Sequence, residues 1–435
     1  MLKNLNLKLE NVGCISSADM NLSKINIIGG INSSGKSTAS KLLYTFLMAN
    51  SKTRTNLADE QLIKQVLDLT MDLLTLSRSA WEDEDECEKA SDELIELFKK
   101  FSGSENDRKF KINPKDLNPF ELFKELKKVI DKHPNIKDTF KLVIDEKFNK
   151  TEKLLDVYND PDEIVKSLMQ QLIKSEFGKN INLLKKAEFK GLFNDEYFDI
   201  VYMIDQTEVD LSGWFSIDDV LYMDSFSSFD ILSKSGVQNT IHSMDLRHRF
   251  KTNDESKEWA DEIINEKIII VENKIKQITG GTFISDDDTI TYIKNDGIEC
   301  LMKNTASGIK QIGLIQMLLS KRELKENSFL IIDEPEVNIH PEWQVRLAEI
   351  LVLLAKELDI RLYINSHSPF LIEALSLYSK YYGLLDETRF FLSEESDEEG
   401  KYVFVPIAIN QLKRIYDNLG SSYDILDELK LEMME

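Results

Sequence analysis

One eight-residue stretch constrains this chain more than any other. Gly30-Ile-Asn-Ser-Ser-Gly35-Lys36-Ser37 satisfies the pattern G-x4-G-K-[ST] in full. The apolar run "INII" precedes it, and "KSTASKLLYTFLMAN" follows with Leu42, Leu43, Phe46 and Leu47 at helical spacing. A strand, a glycine-bearing loop and a helix in that order make a phosphate cradle. Gly30 and Gly35 let the backbone wrap an anion without side-chain collision. The loop from Asn32 through Ser33, Ser34 and Gly35, running into Thr38 of the helix, points N–H groups at the phosphates. Lys36 reaches the outer phosphates and Ser37 offers its hydroxyl to Mg²⁺. The expected ligands are therefore ATP and Mg²⁺.

A second stretch, "SFLIIDEPEVNIHPEWQ", supplies acid. Phe329 to Ile332 read as a buried parallel strand ending in Asp333-Glu334. The ends of parallel strands face the ligand crevice. Asp333 is placed to hold Mg²⁺, and Glu334 to act as general base on the attacking water. A third stretch, "RLYINSHSPF", is another buried strand, and it delivers His367 where a γ-phosphate sensor would sit. The expected fold is α/β: a P-loop nucleotide-binding head on a mixed β-sheet.

The region between these motifs reads differently. From about Ser51 to Lys186 the pattern is almost wholly helical, with "PFELFKELKKVIDKH" bounded by Asn118-Pro119 and His133-Pro134. No sustained heptads run through it, so a compact helical insertion is expected in place of a long coiled coil. From Phe189 the texture turns strand-like, with "YFDIVYMI", "EVDLSGWF" and "DDVLYMDSF". A helix ends at Gly280-Gly281, two short strands flank Asn295-Asp296-Gly297, and "TRFFLSEESDEEGKYVFVPI" reads as a hairpin before a last helix. The expected division is head over 1–50, insertion over 51–187, head again over 188–410 and a helical tail over 411–435.

Charge and composition narrow the function classes. The formal net charge is −23, so the surface as a whole repels nucleic acid. A DNA-binding face would have to be local, and Lys99 to Lys153 is the candidate, with fifteen Lys/Arg against ten Asp/Glu. The other reading of that stretch is a solvated helical surface. No run of about eighteen apolar residues is present and no membrane span is expected. Cys14, Cys87 and Cys300 show neither metal spacing nor a pairing framework, which fits a reducing cytoplasm.

The three motifs in this order resemble an ATP-binding-cassette ATPase of the SMC/RecF/OLD-like branch. "ENVGCISSADMNLSKINIIGGINSSGKST", "LIIDEPEVNIHP" and "SHSP" carry the resemblance, over roughly residues 1–50 and 188–410. It implies a head-to-tail homodimer with two ATPs sandwiched between heads. In that dimer a signature segment meets the partner's γ-phosphate. Its match here is "NTASGIKQIGLIQMLL", with Ser307 and Gly308 at a helix start, although the usual Leu-Ser-Gly-Gly-Gln reads Thr-Ala-Ser-Gly-Ile. The alternative for Ser307 is a plain helix cap. The resemblance also implies a glutamine that joins nucleotide to head, for which Gln206 and the Asp224-Ser225 strand end are the candidates. Asn338 and His340 would face the opposed site.

The long separation of Lys36 from Asp333 argues against a transporter subunit. The stretch after His367 holds one hairpin and a short helix, so no Toprim nuclease domain is expected there. By resemblance, such an ATPase is one half of a two-component bacterial or archaeal defence system, as in Septu- or PARIS-like pairs, and works with a nuclease or toxin effector. A DNA-repair ATPase that binds DNA directly, and a small-molecule or RNA kinase using the same loop, are the other readings.

Overall fold

The computed structural model describes residues 2–51, 53–102, 118–159, 161–178, 184–203, 208–213, 215–224, 240–251, 262–286 and 289–419. The chain forms two compact units, one of Met1–Lys52 with Met169–Glu435, the other of Thr53–Leu168.

The first unit begins with β1 (Leu2–Val12), β2 (Ile15–Leu22), β3 (Ile25–Gly30) and α1 (Lys36–Ala49). The sequence marks β3 through "INII" but gives no comparable sign of β2. Its inward positions Ala18, Met20 and Leu22 alternate regularly, yet the pattern breaks near Ile15, where its pairing with a later strand shifts register. That irregularity leaves too short a period-two signal to read.

The second unit is helical, with α2 (Thr53–Ala80), α3 (Glu84–Ser102), α4 (Pro119–Lys132) and α5 (Asp138–Asn159). Helix α4 starts where Asn118 accepts from Phe120 and Glu121 N–H and Pro119 sets the first turn. Leu62, Val66, Leu69, Leu73, Leu94, Leu122, Leu126 and Val129 fill the core. Buried Trp81 donates its indole N–H to the His133 carbonyl at 2.7 Å, as a buried indole must. Four lysines of the stretch considered for DNA have carboxylate partners. Lys127 meets Glu152 at 2.7 Å, Lys128 meets Glu125 at 2.5 Å, Lys132 bonds Glu93 and Lys147 bonds Asp72. The pairs leave a mixed-sign helical surface.

The chain continues through α6 (Pro161–Phe177), β4 (Leu184–Phe193), β5 (Glu196–Met203), β6 (Glu208–Ser212), β7 (Val220–Met223), α7 (Ile241–Lys251) and α8 (Glu262–Thr279). The helical unit is shorter than residues 51–187, since β4 already pairs antiparallel with β1 from Leu184. Next come β8 (Gly281–Asp286), β9 (Thr289–Lys294) and β10 (Glu299–Leu301), a small antiparallel sheet of three strands where the sequence suggests two. The acidic run at Asp286 divides what reads as one strand. The rest is α9 (Ser307–Ser320), β11 (Phe329–Asp333), α10 (Pro341–Glu357), β12 (Arg361–Ser366), α11 (Pro369–Tyr381), β13 (Thr388–Glu395), β14 (Tyr402–Ile407) and α12 (Lys413–Leu419). Among the described residues no helix is long and apolar enough to cross a membrane.

Among the described residues the main sheet has eleven strands in the order β6-β5-β4-β1-β2-β14-β13-β3-β12-β11-β7. Strands β13, β3, β12, β11 and β7 run parallel. Ile25, Ile27, Leu330, Ile332, Leu362 and Ile364 are buried on these strands beneath helices α9 and α10. This is an α/β fold, a mixed sheet with a helical unit inserted after its first helix. The parallel centre aligns the ends of β3, β12 and β11 with β13: Gly29 pairs with Ser366, Gly30 with Ser393, and Asp333 with Asn365.

A buried ion cluster holds the far end of this centre. Arg249 on α7 grips Asp219 with both Nη atoms, at 2.5 and 2.8 Å, bonds Asp245 at 2.9 Å and meets Glu323 at 3.3 Å. A bidentate buried guanidinium is costly to remove, because its carboxylates stay behind in low dielectric. Arg249→Ala is expected to lower unfolding stability by about 3–5 kcal/mol, read as a lowered urea midpoint.

Candidate nucleotide-binding site

The loop after β3 has the backbone that only its sequence permits. Gly30 lies at φ 147° and Gly35 at φ 94°, both in the region that favours glycine. A Cβ on Gly30 would sit 1.9 Å from the Ser393 Oγ. Ser33, at φ 63°, completes the turn. Asn32 and Ser33 are exposed, Ser34 is buried, and Gly35, Ser37 and Thr38 are half-buried. Ser34 donates to the Ile31 carbonyl at 2.8 Å and shares a 2.6 Å bond with Ser393. That serine, on β13, braces the loop from a strand far along the chain.

Lys36 is only 4% exposed, and its ammonium donates to the Gly30 and Ile31 carbonyls at 2.9 and 2.6 Å. Burial pushes its pKa down, while Glu334, Asp333 and Glu336 push it up. The cation is thus desolvated, with Asp333, Glu334 and Glu336 nearby offsetting part of that cost.

Asp333 closes β11 and is 5% exposed. Its Oδ1 accepts from Asn365 Nδ2 at 2.8 Å and its Oδ2 from the Tyr222 hydroxyl at 3.3 Å. Tyr222 and Asn365 also both reach Ser40 Oγ at 3.0 Å, one turn past Ser37 on α1. Burial raises the Tyr222 pKa well above its ordinary value, as does nearby Asp333, so it stays a donor. Behind Tyr222 the His242 ring packs at 4.8 Å, and His242 Nδ1 lies 2.6 Å from the buried Glu176. Sequence reading placed Asp333 but not Tyr222, Ser40, Asn365 or Ser393. "DDVLYM" marks Tyr222 only as a strand residue.

Glu334 adopts φ 51°, a left-handed conformation that costs about 1–3 kcal/mol for a residue with a side chain. Its N–H bonds the Asn365 carbonyl at 3.0 Å, and its Oε1 lies 3.8 Å from His367 Nδ1. Glu334 and His367 side chains remain 29% and 34% accessible. The arrangement brings Lys36, Asp333, Glu334 and His367 to one edge of the sheet.

Ser307 and Gly308 stand elsewhere in the same unit. The α9 N-cap is Ala306, so Ser307 is not the cap. Ser307 donates to the Asn338 carbonyl, and a Cβ on Gly308 would lie 2.5 Å from Trp343 Cγ. The segment after Asp333-Glu334 therefore packs on the α9 start. His340 caps α10 by accepting from the Glu342 N–H at 3.3 Å. Asp224 lies at the end of β7, 3.8 Å from His242. Gln206 and Ser225 lie outside the described residues.

Three comparisons bear on this site. A family model described as an AAA ATPase domain matches residues 2–372. No curated protein matches the chain. Solved structures similar to it include an SmcHead bound to the C-winged helix domain of ScpA, at 11% identity, 95% of this chain, 99% of that chain and TM-score 0.41. The SMC head domain from Thermotoga maritima follows at 14% identity, with 56% and 86% covered and TM-score 0.33. The Smc head with an extended coiled coil, bound to the C-terminal domain of ScpA and derived from Pyrococcus furiosus, is 9% identical, with 95% and 98% covered and TM-score 0.32.

Proposed function

This chain belongs to the AAA ATPase domain family, and we propose that it is a Mg²⁺-dependent ATP-hydrolysing switch working as a homodimer with a protein effector. The observation that carries the reading is the strand register that aligns Gly29 with Ser366 and Asp333 with Asn365. It sets the phosphate loop beside two acids and a histidine.

The residues fit the nucleotide and its metal. A buried ammonium and glycine-shaped backbone suit phosphate, while a hydroxyl and one carboxylate suit a magnesium ion that keeps waters and phosphate oxygens as its other ligands. When bound, Mg²⁺ would spread charge over the phosphate oxygens. Lys36 would exchange its two carbonyl partners for phosphate oxygens. Ser37 and Asp333 would hold the metal, with Tyr222 and Asn365 fixing the Asp333 carboxylate. Glu334 would take the proton from the attacking water, and His367 would meet the terminal phosphate. Ser307 and Gly308 of a second copy would complete the site. The effector is expected to be a nuclease or toxin, and the setting anti-phage defence. Direct DNA binding in repair is less supported, since Lys127, Lys128, Lys132 and Lys147 already have carboxylate partners.

The test is phosphate release from ATP by the purified full chain. Release is expected with Mg²⁺, loss with excess EDTA and recovery on adding Mg²⁺ back. Phosphate transferred to an acceptor, or no release under any of these conditions, would count against the reading.

A further inference from the structure

We propose that Glu336 is a positioning residue for His367, the buried half of a carboxylate–histidine pair that sets the imidazole at the nucleotide site. The proposal deepens the ATPase reading, and its catalytic consequences rest on it.

Two glutamates flank the His367 ring, and their environments differ. Glu334 is partly accessible, and its Oε1 is 3.8 Å from Nδ1. The Glu336 side chain is 3% accessible, and its Oε1 is 3.2 Å from the same nitrogen. Glu336 Oε1 also accepts from Ser366 Oγ at 2.8 Å and from the His367 N–H at 2.6 Å. Ser366 Oγ in turn accepts from the Ser368 N–H at 3.0 Å, which continues the turn into α11. One carboxylate oxygen thus fixes the backbone at His367 and faces its ring.

A merely structural tie would not need a carboxylate. A glutamine amide oxygen accepts the same two bonds, whereas a buried carboxylate carries a desolvation penalty. Here the penalty is visible. Glu336 Oε2 is buried with no hydrogen-bond partner, and burial pushes the carboxyl pKa up while His367 pulls it down. The ring nitrogen nearest this carboxylate is His367 Nδ1, 3.2 Å from Oε1 and itself buried without a hydrogen-bond partner, so an Nδ1–H turned onto the carboxylate would offset part of that cost. With Nδ1 turned to Glu336, the Nε2 atom is directed away from it. The pairing follows the general rule that a carboxylate on one ring nitrogen fixes what the other can do. Glu334 is left free for the water.

Two measurements test this on the full chain. The first is ¹⁵N NMR of the imidazoles without nucleotide, with His367 assigned by its absence in His367→Ala. A hydrogen-bonded Nδ1–H signal is expected in the wild type and its loss in Glu336→Ala. An unchanged His367 signal in that variant overturns the proposal. The second is kinetic. Glu336→Ala is expected to lower kcat for ATP about 10- to 100-fold with KM retained. The double variant with His367→Ala should be no slower than His367→Ala alone. Losses that multiply would show a separate role for Glu336 and overturn it. Glu336→Gln keeps the shape and both bonds to Oε1 but removes the charge; if the alanine variant fails to fold, this variant is expected to lower kcat with KM retained, and an unchanged kcat overturns the proposal. A paired His367 signal in a wild type that releases no phosphate would reject the ATPase reading and leave the pair standing.

Discussion

Glu334→Gln is expected to lower the rate of ATP hydrolysis by about 10²–10⁴-fold, the usual contribution of a positioned general base. The amide preserves volume and the accepting oxygen, but cannot take the proton of the attacking water. Since glutamine meets the same left-handed backbone at φ 51°, the strain at this position does not change. The Glu334 N–H to Asn365 carbonyl bond is also kept. The loss should therefore fall on kcat, with ATP affinity and thermal stability close to wild type. A fall in affinity equal to the fall in rate would mean that Glu334 acts in binding.

Lys36→Ala should do the reverse. Charge-assisted bonds to phosphate contribute about 1.5–3 kcal/mol each, so losing the ammonium should weaken ATP binding at least tenfold, and roughly a hundredfold for two such bonds. Titration calorimetry measures it directly. Stability should not fall in step. Burial pushes the Lys36 pKa down, so the charged form is held at a cost before nucleotide arrives. Removing it relieves that cost while giving up two bonds to the Gly30 and Ile31 carbonyls. A variant that binds ATP normally would place the phosphates elsewhere.

How much of this was legible in the sequence follows from where each signal lies. The loop over 30–37 is local, because strand, turn and helix occupy one short stretch whose glycines are demanded by its own backbone. Asp333, Glu334 and His367 were legible as strand ends, since buried parallel strands are continuous apolar runs and their ends face one edge. Ser393, Tyr222 and Glu336 were not. Each acts through a neighbour that only the sheet order brings near: Ser393 against the loop across β13 and β3, Tyr222 against Asp333 across β7 and β11, Glu336 against the end of β12. A serine or tyrosine inside a strand carries no period that distinguishes a brace from a filler. The reverse holds at Ser307. The alternative reading of Ser307, a plain helix cap, does not hold, because the cap position belongs to Ala306 and the hydroxyl bonds the Asn338 carbonyl.

In the proposed switch, ATP joins two copies of this chain across a shared site. The most direct measurement is the solution mass of Glu334→Gln by light scattering, with and without ATP and Mg²⁺, since slowed hydrolysis preserves the bound state. A shift from the mass of one chain to that of two is expected on adding ATP, reversed by EDTA and abolished by Ser307→Arg. An unchanged mass at saturating ATP, with binding confirmed by calorimetry, would contradict it.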